Sequence, residues 1–111
     1  MTEPRLTSKL LIHAGVRLCL ERGIPVTIVK MGDPDAGSIY IKLNGFENGC
    51  SVLNQERVEN GKLVWLKATG NNTLTEIDAD AYIDRQAKYD PDIWVLEVED
   101  RQHRNPFDIW E

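Results

Sequence analysis

Two cysteines, Cys19 and Cys50, are all that the 111 residues contain, and no apolar run approaches the ~18 residues that would suggest a membrane span. A disulfide framework is therefore not expected, and two thiols cannot build a four-ligand zinc site. His13 and His103 lack the paired spacing that would complete one. The N-terminus has no apolar secretory core, so a reducing, cytoplasmic setting is expected. In it Cys19 and Cys50 serve as small hydrophobic fillers. Basic charge is also short: thirteen Lys and Arg stand against eighteen Asp and Glu, for a net charge of -5. That field repels nucleic acid, and the basic residues around Arg101 and Arg104 are flanked by acids. No glycine-rich loop has Walker or dinucleotide spacing, so neither a phosphate cradle nor a bound cofactor is expected.

What is present is the ordinary balance of a folding chain, 41% hydrophobic and 28% charged. At this length roughly 65% of the unfolded surface is buried on folding, enough for one core. Residues 1–111 read as a single domain, with 102–111 as a terminal tail.

From Thr7 to Arg22 the apolar residues Leu10, Leu11, Ala14, Leu18 and Cys19 recur at three and four, the period of one helix face. Thr7 or Ser8 can cap its start, and Gly23 with Pro25 beyond supplies the stop. Val26 to Met31 is β-branched and reads as a strand. The turn Gly32 to Gly37 should bring a second strand, Ser38 to Leu43, back beside the first, with Ile39, Ile41 and Leu43 on one face and Tyr40 and Lys42 on the other.

A meander follows, with strands at about Cys50 to Arg57 and Lys62 to Lys67, joined at Asn60-Gly61 as in a type I′ hairpin. Thr75-Glu76-Ile77-Asp78 resembles a capping box and opens a second helix to about Lys88, with Ile77, Ala81, Ile83 and Ala87 able to face inward. Pro91 ends it. Trp94 to Val98 carries apolar groups on both faces, which places the last strand inside the sheet or beneath a helix. The order α-β-β-β-β-α-β predicts an α+β fold, an antiparallel sheet of about five strands with two helices packed on one face.

The segments Gly32-Asp33-Pro34-Asp35-Ala36-Gly37-Ser38-Ile39-Tyr40-Ile41-Lys42 and Asp90-Pro91-Asp92-Ile93-Trp94-Val95-Leu96-Glu97-Val98-Glu99-Asp100-Arg101 resemble domain-of-unknown-function family 1491 (DUF1491), small alphaproteobacterial proteins. Leu6 and Gly23 also fit its outline. The resemblance implies a bacterial protein with no assigned activity, and it transfers no catalytic residues.

Glu97 and Glu99, two apart on a strand, share a face, with Asp100 at the strand end. Such carboxylates either hold a hard cation or keep a strand face solvated. Asp33, Asp35, Asp90 and Asp92 are turn residues whose short side chains bond nearby backbone. Trp94 reads as a core anchor. Phe107 and Trp110 in the tail either dock on their own domain or are offered to a partner. The leading expectation is a non-catalytic protein-interaction or regulatory module using Glu97, Glu99, Asp100, neighbouring Arg101 and the aromatic tail. The competing one is a small metal-dependent enzyme on Asp33, Asp35, Glu97 and Glu99, which requires loop and strand to meet in space.

Overall fold

The computed structural model describes residues 7–57 and 63–107. Helix α1 spans Ser8–Glu21, its first turn capped by the Thr7 hydroxyl, which accepts from the Leu10 N–H at 3.2 Å. Two more of its orphan N–H groups are met from the following loop: Ser8 donates to the carbonyl of Asp35 and Lys9 to that of Pro34. Strands β1 (Val26–Lys30), β2 (Ile39–Asn44), β3 (Cys50–Arg57) and β4 (Leu63–Lys67) precede helix α2 (Glu76–Tyr89), and β5 (Trp94–Glu99) follows it. The Asn60-Gly61 turn lies outside the described residues.

The α+β class, the five strands, the two helices and their order follow the sequence expectation among the described residues. Two details of the arrangement differ. The strands lie in the order β1-β5-β2-β3-β4, so β5 sits between the two strands expected to be neighbours. It pairs antiparallel with β1 and parallel with β2, Ile39 opposite Trp94 and Ile41 opposite Leu96, which makes the sheet mixed. A strand that is apolar on both faces needs cover on both, and only an interior position supplies it. Trp94, Val95, Leu96 and Val98 are all buried there.

The second difference concerns the helices, which lie on opposite faces of the sheet. Side chains of β2 alternate: Ile39, Ile41 and Leu43 join Leu11, Ile12 and Cys19 of α1 in one core, together with Trp94, Leu96 and Val98. Tyr40 joins Val52, Val95 and the α2 residues Ala79 and Ile83 in the other. Strands β2 and β5 carry apolar groups on both sides, so each face needs its own helix. Helix α1 packs over β1 and β5 and α2 over β2 and β3, so each covers only part of its face.

In α2 the inward residues are Ala79 and Ile83, whereas Ile77 is 81% exposed. Thr75 caps this helix as expected, accepting from the Asp78 N–H at 3.1 Å. With Ala79 and Ile83 against the sheet, Ile77 falls on the solvent side of the helix.

Candidate functional site

Lys42 sits at the middle of β2 on the α2 face, its side chain only 4% exposed. A buried ammonium needs compensation, and α2 provides it through an acid on successive turns. Nζ donates to Glu76 Oε2 at 2.8 Å and to Asp80 Oδ1 at 2.7 Å, with Glu97 Oε1 of β5 at 3.7 Å. Asn44, next on the same face, donates from Nδ2 to Glu76 at 3.1 Å and to Glu97 at 3.2 Å. Burial works against the Lys42 charge, but its hydrogen bonds to Asp80 and Glu76 and the nearby Glu97 outweigh it and hold the pKa of the ammonium above its ordinary value.

Lys42, Glu76, Asp80 and Glu97 line a cleft of about 350 Å³ between α2 and β1. Val29, Val95 and Ile83 supply its apolar lining. Among the described residues Glu76, Asp80, Asp84 and Glu97 supply four carboxylates against the single ammonium of Lys42. Lys42 is the residue that sequence reasoning missed. The i, i+4 acids Glu76, Asp80 and Asp84 read as a solvated helix face, and nothing local tied them to a lysine on β2.

The residues nominated from the sequence distribute over the whole length of β5. At its start, the Trp94 indole Nε1 donates to the carbonyl of Asp33 at 2.7 Å, with Trp94 itself 1% exposed. Asp33 Oδ2 accepts from the Ala36 N–H at 2.8 Å and Asp90 Oδ1 from the Asp92 N–H at 3.0 Å, both local turn contacts. The Asp92 carbonyl accepts from the Asp33 N–H, and that of Asp35 from Ser8. Lys30 Nζ donates to the carbonyls of Pro91 and Ile93.

Glu97 lies in the cleft just described, and Glu99 stands opposite Asn44 at the far end of the β2–β5 pair. Asp100 is 8% exposed and chelated by Arg104, whose Nε and backbone N–H each donate to Oδ2 at 2.9 Å. The Arg104 hydrogen bond dominates over burial and, with the backbone N–H groups, holds the carboxyl near a pKa of about 2. Arg101 donates to Glu47 Oε1 at 2.6 Å and lies over the Phe46 ring at 4.8 Å, an exposed aromatic in the left-handed conformation with φ 57°. Phe107 is buried at 7% exposure and stacks on Trp65 with ring centroids 5.0 Å apart. Trp110 lies outside the described residues.

The metal-enzyme alternative required Asp33 and Asp35 to meet Glu97 and Glu99. The Asp33 loop is pinned at Trp94, and at about 3.3 Å per residue Glu97 lies roughly 10 Å and Glu99 roughly 17 Å further along the strand. The four acids do not converge. Among the described residues no group of three or more His, Cys, Asp or Glu side chains is arranged to hold a metal ion. No helix among them is long and apolar enough to cross a membrane.

A mixed five-stranded sheet with a helix on each face and a lysine-centred acidic cleft defines a small α+β domain. The chain belongs to the family described as "Protein of unknown function (DUF1491)", whose model matches residues 6–108. It is similar to a DUF1491 family protein from Caulobacter crescentus CB15. The crystal structure of that protein superposes with a TM-score of 0.82 at 30% identity, covering 92% of this chain and 94% of that one. An NMR structure of a DUF1491 family protein from the same organism gives a TM-score of 0.81 at 30% identity, covering 94% of each chain. Protein Atu0922 from A. tumefaciens shares the fold, with a TM-score of 0.74 at 18% identity over 86% of each chain. No curated protein matches the chain.

Proposed function

We propose that the protein is a non-catalytic interaction module of the bacterial cytoplasm that takes a basic, partly apolar segment of a partner protein in the cleft between α2 and β1. The observation that carries this reading is the imbalance of charge there: among the described residues four carboxylates line the cleft, and the one ammonium among them, Lys42, is already held by Glu76 and Asp80. Val95 and Ile83 add apolar groups inside the cleft, and Val29 at its rim on the edge strand β1 is 54% exposed. An aliphatic side chain of a partner can pack against Val29, while its Lys or Arg side chains meet the carboxylates. Of the residues nominated from the sequence, Glu97 belongs to this surface, while Asp100 and Phe107 serve the fold.

The test is an NMR titration of the protein with a short synthetic peptide of alternating lysine and leucine, beside one of alternating glutamate and leucine. The basic peptide is expected to move the resonances of Val29 and Val95 saturably, and the acidic one to leave them in place. Asp84→Lys should weaken the basic peptide by roughly fivefold, with Glu21→Lys on α1 as the control of equal charge change. Equal weakening by both variants would assign the binding to net charge and overturn the proposal, as would the absence of saturable shifts in the cleft.

A further inference from the structure

On the opposite face of the sheet, beside the core that α1 covers, a second cleft of about 370 Å³ opens over β3, β4 and the end of β2, beneath the C-terminal segment. Its base is the aliphatic pair Leu43 and Leu53, buried at 2% and 7% exposure. Trp65 forms one wall and is braced by its stack on Phe107. His103 forms another, and its position is closely defined. The residue adopts φ 53°, and its Nε2 lies 2.8 Å from the carbonyl oxygen of Gly49. The ring also lies against Gly45, where a Cβ would come within 2.1 Å of Nε2. A side chain held this way shapes a preformed wall, as ligand pockets usually require.

The polar lining is opposite in character to that of the first cleft. Among the described residues Lys67 is the one charged side chain that lines it and no carboxylate does, although the chain carries eighteen Asp and Glu. An apolar base, an indole wall and one ammonium at the margin match the chemistry of a small molecule with an apolar body and one negative charge.

We propose that this cleft is a binding site for a small amphipathic carboxylate, with Leu43, Leu53 and Trp65 receiving the apolar body and Lys67 the charge. The site is separate from the acidic cleft, since it lies on the other face of the sheet and has the opposite charge. The two are independent in their tests.

Phenylacetate is a suitable probe, with phenylacetamide as its neutral counterpart, each titrated into the full chain and followed by nitrogen–proton NMR. Phenylacetate is expected to move the Trp65 indole and the Leu43 and Leu53 amides saturably. Binding should fall roughly fivefold for phenylacetamide and again for Lys67→Glu, the scale of a single exposed ion pair. Lys67 is exposed, so the variant should retain the unperturbed spectrum away from the cleft. Lys67→Gln provides a second, charge-removing variant. Equal affinity for acid and amide, undiminished binding in both Lys67 variants, or saturable shifts confined to residues elsewhere would overturn the proposal, as would no saturable shift at all.

Discussion

Oδ1 of Asp80 lies 2.7 Å from Nζ of Lys42, joining α2 by charge to the central strand of the sheet. The helix buries Ala79 and Ile83 and packs Tyr82 and Ala87 against the same core, and this ion pair adds to that apolar contact. Lys42→Met leaves Glu76, Asp80 and Glu97 facing one another without a cation. Because Glu76 and Asp80 are half exposed and can turn to water, the loss is expected near the lower end for a broken buried pair, about 2–3 kcal/mol. That corresponds to a fall in Tm of roughly 10–20 °C, measurable by thermal denaturation. Asp80→Asn, which leaves Glu76 and Glu97 in place, should cost about 1 kcal/mol.

The same lysine carries a pH signature. Its folded-state pKa is raised above the ordinary 10.5, so its contribution is fully present below that value and is lost as the pH climbs past it. The stability gap between the native chain and Lys42→Met should stay constant between about pH 7 and pH 10 and narrow at higher pH. Urea midpoints across that range provide the measurement.

Asp100 behaves in the opposite sense. Its pKa is depressed from 3.8 to about 2, chiefly by the Arg104 hydrogen bond, so its stabilisation is present above 3.8 and disappears as the pH drops toward 2. With Arg104 52% exposed and partly screened by water, Asp100→Asn should cost about 1–2 kcal/mol at neutral pH. The difference from the native chain should shrink in acid denaturation curves taken below about pH 4.

Gly15 and Phe107 form a coupled pair. A Cβ at Gly15 would lie 2.6 Å from Phe107 Cζ, so Gly15→Ala forces the ring out of its place against Trp65. The expected cost is about 1–3 kcal/mol, and about 3 kcal/mol for Phe107→Ala alone. In the double variant the added methyl enters the space that the ring vacates, so the two losses should fall short of their sum by at least about 1 kcal/mol. Full additivity would show that the ring does not occupy this position in solution.

Trp94→Phe retains most of the buried volume but leaves the Asp33 carbonyl without its indole donor. The expected cost is about 1–2 kcal/mol. Faster amide exchange should be confined to Ser8, Lys9 and the loop from Asp33 to Gly37, which depend on that anchor.

Elements with local causes were legible in the chain. Thr7 and Thr75 announce their helices because a hydroxyl that satisfies an orphan N–H acts within one turn. The interior character of β5 was readable from apolar residues on both its faces. Of the candidate site residues, Asp33 and Asp90 were recognisable as turn residues and Trp94 as an anchor, again because their partners are close or their size compels burial. Lys42 was not legible, because its partners Glu76 and Asp80 are 34 and 38 residues away in sequence.

The amino-acid sequence by itself determined the elements, their order and the faces of β2, since capping, periodicity and alternation depend on neighbours a few residues apart. Tertiary structure alone decided that β5 inserts between β1 and β2, that the helices divide between the two faces, and that each leaves a cleft beside it. Those outcomes depend on covering both faces of the central strands at once, a balance of buried area and charge that no local segment contains.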